Sequence, residues 1–484
     1  MKAVFNRPLV YLLLLLPLLY FPIFAHLDSS LLDCWDEARL AVNAHEMNDT
    51  SNWLVTTYEY EPDMWNTKPP LMIWLQVMSI KLVGDGELAI RLPSAFAALA
   101  TCFLLFWFFV RKQKNPLLGF LTCIVLITSD GYVRRHGIRT GDYDSVLTFF
   151  ITSFVLSWYM YIEEDKLKYF YSFLCALILA CLTKGVQPLI FLPALLLYTA
   201  YRRSVLMVLK SPHFYLGILI FLLCVGGYYF LREQYNPGYI NAVLANEVGG
   251  RFGQVIEQHE GDSWYYFELI FRKDFSLWCI PALLGLLIGI AGKDRSVRYL
   301  SIYLGIAATL YLIILSSAAT KIHWYDTPSL PILSVLSAIS LYWIFTKLTP
   351  DSSKYRTLYI VVALGTIALP YTFICKKVMG DEEHIVGYEE HMHVCRMLQR
   401  AARGKEDIKG YYVTHGHLEQ NVLWYTELLV GKKIIKTRSK HHLDPGTKVI
   451  AFQPDQQQYI AENYIADTIA IDGNIVKYYI KERK

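Results

Sequence analysis

Charged residues are scarce in this chain of 484 residues: Asp, Glu, Lys and Arg together make up 18% of it, against 54% for hydrophobic residues. This balance excludes the two to four soluble domains that the length alone predicts. The nine cysteines contain no CxxC motif, which argues against a zinc or redox framework. Internal repeats, low-complexity tracts and Gly/Ser linkers are also missing from the sequence. We therefore predict an integral membrane protein.

Long uncharged stretches are what the sequence has instead. Several run for about twenty residues, roughly the length that an α-helix needs to cross the hydrocarbon core of a bilayer. The first lacks a small-residue cleavage site and is predicted to remain as an anchor. The sequence predicts eleven spans, or ten to thirteen because two are short, at 8–27, 93–110, 116–133, 144–162, 168–183, 186–201, 213–231, 276–292, 297–317, 325–346 and 356–375.

Basic residues mark the side on which each connecting segment lies. Lys and Arg accumulate in the short segments between alternate spans, such as 111–114, 202–210 and 293–298. Since cytoplasmic loops are enriched in Lys and Arg, the N-terminus is predicted to be cytoplasmic. The net charge of +4 reflects this topology and does not indicate nucleic-acid binding. We predict a multi-pass membrane protein whose three larger connecting segments, 28–92, 232–275 and 376–484, lie on the outer side.

The composition changes near residue 376. Beyond this point "IKGYYVT", "KKIIKT", "KVIAFQ" and "NIVKYYIK" are typical of strands, and "LEQNVLWYTELL" and "QQQYIAENY" are typical of helices. We therefore expect a mainly α polytopic membrane domain at 1–375, with outer loops at 28–92 and 232–275. A small soluble α/β domain at 376–484 is expected to follow on the outer side of the membrane.

The first outer loop contains two unusual stretches. In "LLDCWDEARLAVNAHEM", Asp36 and Arg39 are three residues apart on a predicted helix and share a face. The alternative explanation is an ordinary helix N-terminus, where acidic residues are favoured by the helix dipole. In "WNTKPPLMIW", Lys68 precedes two prolines. The segment that follows is too short to span a bilayer and is predicted to lie along its surface.

A second cluster, "RRHGIRTGDYDSVLTFF", begins at Arg134. Arginines on the outer side are not needed for orientation, so Arg134, Arg135 and Arg139 are candidates for binding a phosphate, whose oxygens match the guanidinium fork. The alternative is that they pair with Asp142 and Asp144 of the same stretch. Either explanation places several charges at the outer end of one span.

Further cations stand at other outer span ends. They are Lys184 in "LTKGVQP" and Lys321 in "AATKIHWYDTPSLP", a stretch that also contains Tyr325, and the loop 232–275 contains His259. Lys184 alone is explained equally well by snorkelling. Together, these residues indicate an anionic, lipid-linked substrate held at the membrane surface. A flippase or transporter of a lipid-linked sugar is the alternative, although transporters more often carry ionisable groups near the bilayer midplane.

Six stretches of this chain, in order, resemble landmarks of the GT-C membrane glycosyltransferases. They are "WDEAR", "NTKPPLMIWLQ", "AIRLPSA", "DSVLTFF", "LTKG" and "KIHWYDTPSLP". The bacterial branch related to protein O-mannosyltransferases, which includes the lipid A aminoarabinose transferases, is the most similar. The resemblance extends from about residue 8 to 345. As an ordered set, the acid pair, the Lys-Pro-Pro and the later acid are fairly specific.

The resemblance implies a polyprenyl-phosphate sugar as donor and transfer on the non-cytoplasmic side. It also implies that Asp36 is the principal catalytic acid, that Asp144 is the second one with Asp142 as its competitor, and that Glu37 completes the acid pair. Donor-phosphate binding is expected from Arg39, Lys68, Arg139 and Tyr325. Further candidates for substrate binding are Asp142, Lys184, His259 and Lys321.

One position departs from the family pattern. The aminoarabinose transferases can carry a Glu just before the Lys-Pro-Pro, where it helps to bind a metal, whereas this chain has Thr67. His259 is a candidate for another ligand of that site. The sequence therefore leaves open whether a divalent metal binds, and it weakens the specific aminoarabinose assignment.

The reaction implied by the resemblance is a single displacement at the anomeric carbon, with inversion. Lys68 and Arg39, with an arginine of 134–139, are expected to stabilise the departing polyprenyl phosphate. Asp36 is expected to deprotonate an acceptor hydroxyl, or to orient groups if the acceptor is a phosphate. The acceptor stays open between lipid A or another glycolipid, a glycan and a secreted protein.

Overall fold

The computed structural model describes residues 7–134, 136–250, 255, 259–347, 353–380, 389–415 and 419–484. Within these ranges, seven helices are long and apolar enough to cross a membrane. An eighth span is present if the pair Tyr265–Asp274 and Ser276–Ala291, bent by 112°, is taken as one. The seven are Glu87–Gln113, Tyr143–Glu164, Leu167–Lys184, Pro212–Tyr235, Arg295–Ser317, His323–Lys347 and Val361–Gly380. The prediction of a helical, multi-pass membrane protein is confirmed.

Three of the eleven predicted spans correspond to shorter apolar helices, Pro8–Phe24, Pro116–Ile127 and Gln187–Tyr201. The second ends before Thr128, whose backbone N–H and hydroxyl both donate to the carbonyl of Ile124, at 3.1 and 2.6 Å. The third begins as a 3₁₀ turn over Gln187–Phe191, where Pro188 supplies no N–H. The other eight predicted spans coincide with the seven long helices and the bent pair.

Several long helices are interrupted without being ended. Glu87–Phe108 continues as a π-helical turn over Phe109–Gln113, and Pro212–Phe221 is joined to Gly227–Tyr235 by another over Leu222–Gly226. His323–Ser329 is a 3₁₀ segment that leads into Leu330–Lys347, and the last apolar helix covers Ser353–Gly380. The shorter elements are Asp36–Thr50, Leu71–Val83, Asp130–Val133, Val205–Lys210, Tyr239–Val243, the π-helical Leu244–Gly250, and the strands β1 (Thr57–Tyr58) and β2 (Glu61–Pro62).

A five-stranded sheet lies in the C-terminal part of the chain. Its strands are β3 (Tyr412–His415), β4 (Lys436–Ser439), β5 (Lys448–Ala451), β6 (Tyr464–Asp472) and β7 (Ile475–Arg483), in the order β4-β3-β5-β7-β6. β3 is parallel to β4 and β5, and the β5–β7 and β6–β7 pairs are antiparallel. The helices of this region are Glu389–Ala402, Gln420–Gly431 and Pro454–Asn463.

The six C-terminal elements predicted from sequence are all present, but two others were missed. β6 gave no alternating apolar pattern because almost all of its side chains are exposed, and the strand is held at the sheet edge by its pairing with β7. The helix Glu389–Ala402 was also not predicted. A small α/β region after the membrane helices is therefore confirmed, whereas its boundary at 376 stays a prediction, since the helix Ser353–Gly380 runs through it.

The C-terminal helices share one hydrophobic core with the first outer loop. Ala41 and Ile73 of the loop helices belong to the same buried cluster as Trp424 and Leu428. Glu87, at the start of a membrane helix, accepts hydrogen bonds from the Gln399 amide at 2.7 Å and the Tyr425 hydroxyl at 2.8 Å. This packing holds the helix Asp36–Thr50 and the start of the helix Glu87–Phe108 against the C-terminal region.

Candidate active site

The helix Asp36–Thr50 begins abruptly at the predicted catalytic acid. Trp35, just before it, has φ of 70°, a left-handed conformation that is uncommon for a bulky residue. Asp36 is therefore the first helical residue, and its side chain is exposed, whereas Glu37 is fully buried. Neighbours on a helix point about 100° apart, so the two members of the acid pair have different surroundings.

Glu37 is completely engaged by protein groups. Its carboxylate lies 2.6 and 2.9 Å from two nitrogens of Arg91 and accepts the N–H groups of Asp33 at 2.8 Å and Gly141 at 2.7 Å. Burial acts to raise the pKa of Glu37, but the charge and hydrogen bonds of Arg91 outweigh it and hold this pKa below its ordinary value. The residue joins the outer loop to the segment before the helix Tyr143–Glu164.

Arg91 lies in the stretch "AIRLPSA", and the sequence predicts no separate role for it. Its guanidinium also donates to the backbone carbonyls of Leu27 at 2.8 Å and Leu31 at 2.7 Å. An arginine inside an otherwise apolar helix was the signal that could have revealed a buried carboxylate partner.

Arg39 belongs to a network of hydrogen-bonded side chains that ends at Tyr143. Its guanidinium forms a bidentate pair with Asp63, at 2.9 and 2.7 Å. Asp63 accepts from the Asn43 amide at 3.1 Å and from the backbone N–H of Asn66 at 3.0 Å. The Asn66 side chain in turn accepts the Tyr143 hydroxyl at 3.0 Å. Asp63 and the two asparagines were not predicted, because nothing in their local spacing distinguishes them from loop residues.

Lys68 lies beside Tyr143, the last residue of this hydrogen-bonded network. It stands just before the helix Leu71–Val83. Its ammonium group is 3.2 Å from a carboxylate oxygen of Glu247 and 5.6 Å from the centre of the Tyr143 ring. The side chain retains 12% exposure. Lys68 is thus a nearly buried cation with one carboxylate beside it and an aromatic face on another side.

Asp144, in the first turn of the helix Tyr143–Glu164, meets Lys184, the last residue of the helix Leu167–Lys184. The Lys184 ammonium lies 2.7 and 2.8 Å from the two carboxylate oxygens and 4.4 Å from the centre of the Tyr325 ring. The backbone carbonyl of Tyr325 accepts the Tyr311 hydroxyl at 2.5 Å. The structure therefore brings Asp144, Lys184 and Tyr325 together and does not support snorkelling of Lys184.

Asp142 has different partners from Asp144. It forms an ion pair with His136 at 2.8 Å and accepts the Thr140 hydroxyl at 2.7 Å. The His136 ring stacks on Trp324 with a centroid distance of 3.9 Å and an interplanar angle of 11°. The two acids named as competitors are therefore only two residues apart in sequence but belong to separate ion pairs.

Arg134 is a buried structural cation. It pairs with Asp274 and with Asp326, the latter at 2.9 Å, and donates to the carbonyl of His323 at 2.8 Å. The sequence offered the alternative that Arg134 pairs with an acid of its own stretch. Both acids that pair with it instead come from distant segments. Arg135 lies outside the described residues.

The three remaining candidates lie close to helix ends. Arg139 donates to the carbonyl of Ala25 at 2.9 Å. The Lys321 ammonium donates at 2.6 Å to the carbonyl of Ser316, near the C-terminus of the helix Arg295–Ser317, a position where cations are favoured. The backbone N–H of Lys321 donates to the carbonyl of His259 at 2.9 Å. Substrate binding by these residues stays a prediction.

The residues at the candidate position for a metal ligand do not fit a metal. Thr67 is fully buried, its hydroxyl has no hydrogen-bond partner, and its carbonyl accepts the Tyr239 hydroxyl at 2.7 Å. A threonine hydroxyl is a poor replacement for the carboxylates that divalent cations prefer. Among the described residues, no group of three or more His, Cys, Asp or Glu side chains is arranged to hold a metal ion.

Comparison with known proteins shows which family and fold this chain resembles. Residues 67–229, which contain Lys68, Asp144 and Lys184, match the family described as dolichyl-phosphate-mannose-protein mannosyltransferase. The fold resembles that of ArnT from Cupriavidus metallidurans, solved with bound undecaprenyl phosphate, with a TM-score of 0.72 over 97% of each chain at 16% identity. The chain is a membrane glycosyltransferase that is similar to the GT-C enzymes in sequence and fold.

Two sequence relatives are similar to this glycosyltransferase over most of its length. Both are described as undecaprenyl phosphate-alpha-4-amino-4-deoxy-L-arabinose arabinosyl transferase. The Aeromonas hydrophila protein is 27% identical over 63% of this chain and 55% of its own length. The Aeromonas salmonicida protein is 26% identical over 76% of this chain and 67% of its own length. The predicted family resemblance is confirmed.

A more distant fold relative is an archaeal oligosaccharyltransferase, AglB from Archaeoglobus fulgidus, solved with an inhibitory peptide and a dolichol-phosphate. The TM-score is 0.52 over 89% of this glycosyltransferase and 64% of AglB, at 10% identity. At such identities the likeness extends to the fold alone.

Proposed function

We propose that this glycosyltransferase moves a sugar from a polyprenyl-phosphate donor to an acceptor at the outer surface of the membrane, with inversion at the anomeric carbon. The observation that carries this proposal is the placement of two lysines around the start of one membrane helix. Lys68 lies against the ring of Tyr143, and Lys184 binds Asp144 and lies against the ring of Tyr325. A pair of nearly buried cations at the outer end of a membrane span suits a lipid phosphate whose tail stays in the bilayer.

Lys68 is the proposed direct ligand of the donor phosphate. Its ammonium has three N–H donors, and Glu247 lies 3.2 Å away. A phosphate oxygen that reaches Lys68 therefore competes with the Glu247 carboxylate or displaces it. A charge-assisted hydrogen bond of this kind contributes about 1.5–3 kcal/mol.

Arg39 is proposed to act on the phosphate indirectly. Its guanidinium donates to both carboxylate oxygens of Asp63 and lies 4.2 Å from the centre of the Tyr58 ring. Asp63 also accepts the backbone N–H of Asn66, two residues before Lys68. Arg39 thus holds the loop in the conformation that directs Lys68. This role differs from the direct phosphate contact that the resemblance implies.

Asp36 is the proposed base, since it is exposed at the start of its helix. The acceptor oxygen forms its bond to the anomeric carbon as the bond from that carbon to the phosphate oxygen breaks. The electron pair of the broken bond leaves with the polyprenyl phosphate. The positive charges of Lys68 and Lys184 stabilise the negative charge that develops on this phosphate. The proton of an acceptor hydroxyl passes to Asp36, a step that contributes roughly 10²–10⁴-fold.

Glu37 is proposed to position residues rather than to react, because its carboxylate is buried against Arg91. Its hydrogen bond to the N–H of Gly141 ties the Asp36 helix to the segment that carries Asp142 and Asp144. The distance between the base and the donor site therefore depends on Glu37.

The sugar, the acceptor and the side of the membrane belong to this proposal as well. The names of the relatives favour 4-amino-4-deoxy-L-arabinose as the sugar. They name no acceptor, so the candidates are lipid A or another glycolipid, a glycan and a secreted protein. Thr67 in place of a carboxylate is a reason to test other sugars. The basic inner loops support a periplasmic site in a bacterial inner membrane, and a reporter fused after Lys484 tests this orientation.

The deciding experiment is a transfer assay with the purified chain and a panel of undecaprenyl phosphate-linked sugars. Mass spectrometry of envelope lipids and glycoproteins, made with and without the chain, identifies the acceptor. Movement of the donor across vesicle membranes without transfer would favour the flippase alternative. Transfer from one donor, lost in Lys68→Ala, is the expected result.

A further inference from the structure

A large cavity lies between the last apolar helix and the rest of the bundle. Its volume is about 750 Å³, within the range of about 300–1,000 Å³ that is usual for ligand sites. The helices Ser276–Ala291, Leu330–Lys347 and Ser353–Gly380 contribute its walls. None of the described candidate active-site residues lines it, so the cavity is separate from the site of sugar transfer.

The last helix, Ser353–Gly380, packs most closely near its end. Ile374 is fully buried, Val378 is 2% exposed, and the Lys377 ammonium pairs with the Asp130 carboxylate. Most of the side chains before this point that the structure describes are exposed or half-buried. The helix is therefore held chiefly near its end, and the cavity lies beside the part that comes before.

One face of this helix lines the cavity. The lining residues recur every three or four positions, the spacing of neighbours on one side of a helix, and they include Val362, Gly365, Thr366, Leu369, Phe373 and Ile374. From the first to the last, at 1.5 Å per residue, they extend for about 18 Å. One leaflet of a hydrocarbon core about 30 Å thick is slightly shorter than this. The cavity therefore has the length of a lipid tail within one leaflet.

The opposite wall is also apolar. Trp278, Pro281 and Leu341 face the same space. Gly365 contributes no side chain, and a Cβ added there would meet nothing within 4 Å. An acyl chain suits such walls, whereas a polar metabolite would lose its hydrogen bonds to water without gaining others.

Charged groups are gathered at one end of the cavity. Lys273 and Asp130 line it there, and Lys377 pairs with Asp130. Lys273 is exposed, whereas the adjacent Asp274 is buried and pairs with Arg134 instead of lining the cavity. Two lysines against one lining acid leave this end with a positive charge.

A helix also begins at the charged end. Ser276 is the first residue of the helix Ser276–Ala291 and lines the cavity. The residue before it, Phe275, provides no side-chain cap, so the first N–H groups of the helix have no capping oxygen from that residue. A helix N-terminus favours an anion, and it adds to the charge of Lys273.

We propose that this cavity binds a membrane phospholipid with an anionic headgroup. The phosphate lies between Lys273 and the start of the helix Ser276–Ala291, and an acyl chain fills the space along the last helix. The lipid completes the packing of a helix that the protein itself holds chiefly near one end. This inference does not depend on which sugar or acceptor the enzyme uses.

Lipid binding to the full-length chain, purified in detergent and delipidated, tests the proposal. Native mass spectrometry compares the retention of phosphatidylglycerol, which is anionic, with that of phosphatidylethanolamine, which has no net charge. The parent is expected to retain one phosphatidylglycerol in preference, and this lipid is expected to raise its unfolding temperature, since a ligand that binds only the folded state stabilises it. Lys273→Ala is expected to weaken retention about fivefold, the effect of one lysine near a membrane surface.

Gly365→Leu tests the cavity itself. Its side chain enters open space, and leucine favours a helix more than glycine does, so the variant is expected to unfold without lipid at or above the parent temperature. It is expected to lose the stabilisation by phosphatidylglycerol. Gly227→Leu, at an equally open glycine of another apolar helix, and Lys293→Ala, an exposed lysine beyond the other end of Ser276–Ala291, are the controls and should bind the lipid as the parent does.

Three results would overturn the inference. The first is equal retention of the two phospholipids by the parent, and the second is unchanged retention of phosphatidylglycerol in Gly365→Leu. The third is displacement of phosphatidylglycerol by undecaprenyl phosphate in the parent but not in Gly365→Leu, which would make the cavity a polyprenyl site instead.

Discussion

Asp144 and Lys184 form an ion pair that is almost wholly removed from solvent, with side-chain exposures of 2% and 4%. Both carboxylate oxygens contact the ammonium nitrogen, at 2.7 and 2.8 Å. Because an unpaired charge at such a site is costly, each member of the pair constrains the other. The pair fixes the start of the helix Tyr143–Glu164 against the end of the helix Leu167–Lys184.

The first prediction separates the stabilising role of this pair from its chemical role. Lys184→Met or Asp144→Asn alone should lower the free energy of unfolding by about 3–5 kcal/mol, since each leaves one buried charge without its partner. The double variant removes both charges and should regain much of that stability without regaining sugar transfer. Thermal unfolding in detergent and the transfer assay measure the two effects. A single variant as stable as the parent would contradict the prediction.

Long-range pairs such as this one mark the limit of what the sequence could predict. Helical periodicity and run length identified the spans and most C-terminal elements, because those patterns are local. The partners of Arg134 could not be found in this way: Asp326 is 192 positions away, and no spacing rule connects them. The burial of Glu37 was missed for the same reason, since Arg91 is 54 positions away in sequence.

Asp36→Asn should remove transfer while leaving the protein intact. This change keeps the shape of the side chain and removes its charge, so membrane levels and donor binding should stay close to those of the parent. A catalytic base contributes roughly 10²–10⁴-fold, whereas an acid that only stabilises its helix contributes about 0.3–1 kcal/mol. Asp49→Asn, at the other end of the same helix, is the matched control. Transfer at close to the parent rate would support the helix-terminus explanation.

Glu37→Gln should behave in the opposite way and reduce the amount of folded protein. Since its carboxylate is buried against Arg91, loss of the negative charge leaves a buried guanidinium unpaired, at a cost of about 3–5 kcal/mol. We expect low membrane levels and early thermal unfolding, with activity per folded molecule reduced less than in Asp36→Asn. A Glu37→Gln protein that unfolds at the parent temperature but transfers no sugar would instead assign Glu37 to the chemistry.

Donor affinity should respond to Lys68 and Glu247 with opposite signs. Lys68→Ala removes the proposed phosphate contact and should weaken binding of a polyprenyl-phosphate sugar by roughly 10- to 150-fold, the equivalent of about 1.5–3 kcal/mol. Glu247→Gln removes the carboxylate that competes for Lys68 and should strengthen binding. Lys81→Ala, an exposed lysine on the helix Leu71–Val83, is the control. Equal affinities in the parent and Lys68→Ala would exclude Lys68 as a phosphate ligand.

Two carboxyl groups meet where the C-terminal helix Gln420–Gly431 packs on the helix Asp36–Thr50. Glu46 is buried, with one oxygen accepting the N–H of Tyr60 at 3.0 Å and the other without a hydrogen-bond partner. Glu427 lies against it, and burial together with the negative charge of Glu46 raises the pKa of Glu427 to about 8. The negative charge of Asp49 also raises the pKa of Glu427, and the charge of His45 lowers it.

This pair should make the stability of the protein depend on pH between about 4.5 and 8. The pKa of Glu427 is higher in the folded protein than its ordinary value of 4.5, so the folded state retains a proton that the unfolded chain releases as the pH rises. The contribution of Glu427 to stability is therefore fully favourable below pH 4.5 and is lost progressively up to about pH 8.

Glu427→Gln, which stays neutral, should unfold at a higher temperature than the parent at pH 8, with little difference at pH 4.5. Glu462→Gln, an exposed acid on the helix Pro454–Asn463, should leave the pH dependence unchanged. Thermal unfolding followed in detergent over this pH range measures all three proteins. Parallel curves for the parent and Glu427→Gln would contradict the raised pKa of Glu427.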